Sequence, residues 1–136
     1  MSGTISYRSN IKITADDFID LLKRSTLSER RPVDQPQRIK RMLDHGNVLV
    51  TAWSNKLLVG VSRAVTDFSF CCYLSDLAVD KAYQHKGIGK ELVRLTHEVA
   101  GMETMLILLA APAATEYYPK IGMTHFQHCF ILNRKK

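Results

Sequence analysis

Between residues 71 and 110 the hydrophobic period changes twice, and this constrains the fold more than any other feature of the chain. An apolar stretch from Cys71 closes on Leu77-Ala78-Val79, and a short loop carries Gly87 and Gly89. Leu92, Leu95 and Val99 then recur at helical spacing with Ile88 just ahead of them, and residues 105–110 form a continuous apolar run. A strand, a helix and a strand in that order need a crossover, so the two strands lie parallel in one sheet with the helix on its face. The pattern predicts a strand at 71–79, a helix from Gly89 stopped by Gly101, and a strand at 105–110 covered on both faces.

What precedes this unit reads as helices and then antiparallel strands. Ile5 and Tyr7 alternate with polar residues, and Thr14-Ala15-Asp16-Asp17 is a helix start, with a hydroxyl cap and acids at the positive end. Phe18, Leu21 and Leu22 give that helix one buried face, and the helix ends near Ser25 ahead of two X-Pro steps. Residues 37–45 read as a second short helix stopped by Gly46. The runs 48–53 and 57–61, separated by Ser54-Asn55-Lys56, read as a hairpin. A short helix over 113–120 and a last strand near 125–132 complete the expectation. The fold class is α+β, with a mixed, mostly antiparallel central sheet flanked by helices and the parallel unit at its centre.

At 136 residues, 46% apolar and 24% charged, residues 1–136 are expected to form a single domain. The longest apolar run is far shorter than the roughly 20 residues a bilayer requires, which excludes membrane integration. The start MSGTISYRSN lacks a basic segment followed by an apolar one, so no leader is read there and a cytoplasmic location is expected. Three cysteines, two of them adjacent in an apolar stretch, suit reduced strand residues better than a disulfide frame. The histidines show no ligand spacing, and no metal is expected. A net charge of +6 favours anionic partners, whether nucleic acid, a phosphate-bearing cofactor or an acidic substrate. A basic tail without interleaved aromatics argues against dedicated nucleic-acid binding.

The loop at 84–90 has two readings on its own residues. Gly87 and Gly89 before a helix N-terminus can seat a phosphate on backbone N–H groups, or can simply make a tight turn. The third glycine of a dinucleotide fingerprint and the Gly-Lys-Ser/Thr of a triphosphate loop are both missing. In its strand-loop-helix setting, Gln84-x-x-Gly87-x-Gly89 resembles the Gln/Arg-x-x-Gly-x-Gly/Ala pyrophosphate motif of the GNAT superfamily of acyl-CoA-dependent N-acetyltransferases. Some thirty residues on, Tyr117-Tyr118-Pro119-Lys120-Ile121-Gly122-Met123 resembles the family's aromatic-Tyr-x-Lys-x-Gly-Phe segment. Within the family, residues 60–89 and Arg30-Arg31-Pro32 look most like the plastid-type arylalkylamine, or serotonin, N-acetyltransferases.

The resemblance implies direct transfer of an acetyl group from acetyl-CoA, as co-substrate, to a primary amine of a small molecule, and implies a homodimer. Leu77, Ala78 and Val79 would pair through their backbone with the pantetheine arm, while Gln84, His85, Lys86, Gly87, Ile88, Gly89 and Lys90 would hold the pyrophosphate. Tyr118 would be the general acid for the departing thiolate, Asp76 the carboxylate that binds or deprotonates the amine or else satisfies a bulge or a buried arginine, and Arg30 and Arg31 would face the acceptor or form a solvated basic loop. Tyr117 stands at a position that is usually a packing aromatic. The chain departs from the family at His85, where Gly is common, at Ala110-Ala111-Pro112, where many relatives carry Asn, and at Met123, which replaces Phe. Acetylation of protein lysines or N-termini and a non-catalytic acyl-CoA sensor are the competing functions.

Overall fold

In the computed structural model, which describes residues 4–135, the chain order is β1 (Ile5–Arg8), α1 (Ala15–Ser25), α2 (Pro36–His45), β2 (Val48–Ser54), β3 (Leu57–Thr66), β4 (Cys71–Val79), α3 (Ile88–Ala100), β5 (Met105–Leu108) and α4 (Tyr117–Lys120). Short 3₁₀ turns at Leu27–Arg30, Lys81–Tyr83 and Pro112–Ala114 lie between them. The strands form one sheet in the order β1-β2-β3-β4-β5, antiparallel except for the parallel β4–β5 pair. The predicted α+β class is the one observed. The strand-helix-strand unit, however, lies at the edge of the sheet rather than at its centre.

Local chemistry accounts for the element ends. The Thr14 hydroxyl accepts from the Asp17 N–H at 3.1 Å and the Asp17 carboxylate accepts from the Thr14 N–H, a reciprocal cap that starts α1. Pro36 opens α2 at a position where its missing N–H costs nothing. Gly46 ends α2 in extended geometry, and the reason for glycine is space: a Cβ there would lie 3.0 Å from the Arg63 side chain.

The sheet is covered on both faces over β2–β4. Phe18, Leu21, Leu22 and Ile39 of α1 and α2 pack on Leu58, Val61 and Ala78, while Ile88, Leu92 and Ala100 of α3 pack on Ala52, Val59, Cys72 and Leu74. Gly60 lets α3 approach closely, since a Cβ there would meet Leu92, Ala52 and Ile88 at 3.0 to 3.2 Å. A bulge between Arg63 and Ala64 pairs these residues with Asp76 and Leu74 and leaves Ser75 as the extra residue. The bulge reverses β4's facing, so Leu74 packs toward α3 while Ala78 joins the α1–α2 core.

Beyond β4 the structure departs from the sequence-based expectation. β5 is an edge strand of four residues, with Met105 70% and Ile107 50% exposed, so the apolar run is not covered on both faces. The expected 113–120 helix is a 3₁₀ turn followed by the four-residue α4. Residues 124–135 form no strand, and Phe126, Phe130, Ile131 and Leu132 are exposed. An apolar pattern can mark a strand's faces, but a strand also needs a neighbour to complete its ladder.

Candidate active site

The site is built on the open side of β4. β5 pairs with β4 only from Cys71 to Leu74, after which the chain turns away, leaving the remaining residues of β4 without a partner on that side. The Asp80 N–H donates to Val59 on the β3 side at 2.8 Å. By strand alternation, Leu77 and Val79 therefore direct their N–H and C=O groups toward the opening. Gln84 folds back onto this edge, its side-chain amide donating to the Val79 carbonyl at 3.0 Å.

The Asp80 side chain starts the turn into α3 by accepting from Ala82 N–H at 2.8 Å, and also meets the Arg24 guanidinium at 2.5 Å. His85 and Gly87 both adopt left-handed backbone, with φ of 66° and 83°. That conformation explains why glycine suits position 85 in relatives, and it means that His85 carries local strain here. The first intrahelical bond of α3 runs from Glu91 N–H to the Gly87 carbonyl, so the N–H groups of Ile88, Gly89 and Lys90 have no intrahelical acceptor and point out of the helix start. Gly89 is helical, and glycine serves space there: a Cβ would lie 2.5 Å from the Tyr117 hydroxyl. Beside it, a cleft of about 350 Å³ runs between α3 and the turn after α4, lined in part by Gly87, Lys90, Arg94, Gly122 and Met123.

Tyr117 and Tyr118 sit edge to face, ring centroids 5.1 Å apart. Burial raises the Tyr118 phenol above its ordinary range, neighbouring Tyr117 raises it further, and the Arg31 charge pulls it back. Burial also raises Tyr117. Both phenols stay protonated at neutral pH, the form a proton donor requires.

Asp76 is fully buried, and its two carboxylate oxygens accept from the Nε groups of Arg31 and Arg63. Arg31 continues to the carbonyls of Ser75 and Arg30, and Arg63 to the Met42 carbonyl and the Ser75 hydroxyl. The carboxylate expected to meet an amine thus fastens the loop after α1 and the end of α2 to the β4 bulge. Arg30 is exposed and its side chain lies outside this cluster. Sequence reasoning missed Arg63, although an arginine between Ser62 and Ala64 in an apolar strand signals a buried charge in need of a partner. The structure therefore brings together Gly89 with Tyr117, and Arg31 with Asp76, the Arg31 charge reaching Tyr118.

Among the described residues no cluster of three or more His, Cys, Asp or Glu side chains could hold a metal ion, and Cys71, Cys72 and Cys129 are free thiols. No helix among them is long and apolar enough to cross a membrane.

A five-stranded mixed sheet, splayed after a bulged β4 that runs into a glycine-bearing helix start, defines the GNAT fold class. Residues 15–123 match the Acetyltransferase (GNAT) family, and the chain belongs to that family. An uncharacterized N-acetyltransferase ycf52-like protein of Prochlorococcus marinus is 31% identical over 117 residues, covering 79% of this chain and 63% of the relative, so the match spans less than two thirds of that protein. A predicted acetyltransferase from Clostridium acetobutylicum, solved with acetyl-CoA, shares the fold at TM-score 0.72 and 16% identity, with 96% of each chain covered. An aminoglycoside acetyltransferase from an uncultured soil metagenomic sample, solved with sisomicin, does so at TM-score 0.68 and 18% identity, covering 97% of this chain and 96% of that one.

Proposed function

We propose that this acetyltransferase moves an acetyl group from acetyl-CoA directly to a primary amine of a small molecule. The observation that carries the reading is the unpaired edge of β4 leading into the outward N–H groups of α3, with Tyr117 abutting Gly89 there and Tyr118 edge to face against Tyr117. A pantetheine arm has amides spaced to extend such an edge, and a diphosphate suits donors at a helix start. Leu77, Ala78 and Val79 would hold the arm, and Gln84 to Lys90 the diphosphate. The thioester supplies an activated acyl carbon.

The roles follow from proton balance. A free amine nitrogen bonds to the acyl carbon, the C–S bond breaks, the sulfur takes the Tyr118 proton, the nitrogen releases its extra proton to solvent, and the Tyr118 phenolate takes one back from solvent. We assign Asp76 a positioning role: with no exposed atom and both oxygens engaged, it holds Arg31 near Tyr118 instead of meeting the amine. Arg30, exposed on the same loop, is left to face the acceptor. The sisomicin-bound neighbour supports a small amine as acceptor, and the pattern of residues 60–89 supports an arylalkylamine.

The test is thiol release from acetyl-CoA over aromatic amines, polyamines, aminoglycosides and lysine peptides, with Tyr118→Phe beside the wild type. Tyr118→Phe is expected to lower kcat by about 10²-fold or more while leaving acetyl-CoA binding intact. Because the folded phenol titrates above the ordinary tyrosine range, wild-type activity should persist to about pH 10 and fall only beyond it. Turnover confined to lysine peptides would move the acceptor to proteins, and acetyl-CoA binding without turnover on any amine would make the chain a sensor.

A further inference from the structure

Tyr117 stands where a packing aromatic is expected, yet its contact with α3 is made end-on. Of its atoms near the Cβ position of Gly89, the hydroxyl is nearest at 2.5 Å, ahead of Cζ at 3.5 Å and Cε2 at 3.9 Å. A packing ring presents its face or edge; this one presents its polar tip to the helix backbone. The tip abuts Gly89, one of the three residues at the start of α3 whose N–H groups have no intrahelical acceptor, and Lys90, Glu91 and Arg94 of the same helix line a separate cleft. Tyr117 as a residue remains 37% exposed. Removing the hydroxyl would also leave room for a side chain at 89, since the next atom stands at van der Waals distance.

We propose that Tyr117 is a binding residue for the phosphate-bearing part of acyl-CoA, its hydroxyl donating to a diphosphate oxygen, and that Gly89 is glycine in this chain to admit that hydroxyl. The inference rests on the acetyl-CoA reading above and divides the tyrosine pair: Tyr118 serves the sulfur, and Tyr117 serves the phosphate. Burial, which keeps the Tyr117 phenol protonated, maintains it as a donor through neutral and mildly alkaline pH.

Steady-state kinetics with acetyl-CoA and with S-acetylpantetheine, which carries no phosphate, test the division. Tyr117→Phe is expected to raise the KM for acetyl-CoA about tenfold, as for a lost hydrogen bond to a charged group. Its kcat at saturation should stay within about twofold of wild type, and its kcat/KM for S-acetylpantetheine should not change. Gly89→Ala, which pushes the hydroxyl aside, should raise the same KM. The double variant should bind no more weakly than either single one, because both remove the same contact. An unchanged KM in Tyr117→Phe, a loss confined to kcat, or an equal loss with S-acetylpantetheine would each overturn the assignment. Wild-type protein that binds no acetyl-CoA overturns the functional reading and this inference together; wild type and Tyr117→Phe binding it equally overturn only this one.

Discussion

The two flanks of β4 are built on opposite plans. Toward β3 the strand is paired along its length, covered by α1, α2 and α3, and locked at its bulge by the Arg31–Asp76–Arg63 cluster. Toward β5 it is paired for four residues and then opens, and the chain beyond carries exposed apolar side chains on Met105, Ile107, Phe126 and Phe130. The closed flank supplies rigidity, and the open flank supplies unpaired backbone. A site that captures an extended substrate arm needs both, because a free strand edge selects a ligand only where the rest of the strand holds it still.

The largest test of this contrast is Asp76→Ala, which leaves two arginines facing each other without their counter-charge at a buried position. A loss of about 3–5 kcal/mol is expected in chemical denaturation, with loosening of the Arg31 loop. The second test sets the flanks directly against each other. Leu92→Ala, in the closed core, should cost about 2–5 kcal/mol, and Ile107→Ala, on the open face, no more than about 0.5 kcal/mol. Equal costs would mean that the open face is covered in solution.

The loop between the flanks gives a smaller effect of opposite sign. His85→Gly relieves left-handed backbone strain and should gain up to about 1 kcal/mol in thermal unfolding, the flexibility of glycine offsetting part of the relief. The smallest effect concerns the turn from β3 to β4. There the Asp67 carboxylate accepts from the backbone N–H groups of Phe70, Ser69 and Cys71, which holds it at about 2. Its folded value lies below its unfolded one, so its contribution is present above about pH 4 and lost as pH falls toward 2. Asp67→Ala should flatten the acid limb of stability in that window.

Where a feature depends on neighbours in sequence, it was legible. The Thr14 helix start, the second helix over 37–45, the hairpin and the glycine-bearing start of α3 follow from side chains within a few residues of the backbone they satisfy, and all are observed, the second helix opening one residue earlier at Pro36. Features that depend on distant partners were not. The 105–110 run looked doubly covered because apolar composition cannot say how many layers arrive, and 125–132 looked like a strand because its ladder partner is not encoded in its own residues. For Asp76 the sequence leaves amine contact and satisfaction of a buried arginine both open, because its two arginines come from other elements, 45 and 13 residues away in sequence.

The sequence by itself therefore determined the elements up to β5, their antiparallel-then-parallel order and the glycine-bearing helix start, since each is a matter of local period, capping or backbone freedom, while the tyrosine pair stood out through its family resemblance. Only the tertiary structure decided that the parallel unit lies at the sheet's edge, that the β4 bulge turns Asp76 inward between two guanidinium groups, and that the Tyr117 hydroxyl occupies the space left by Gly89. Those outcomes depend on which surfaces meet, and long-range packing sets that through shape and charge compensation summed over the whole chain.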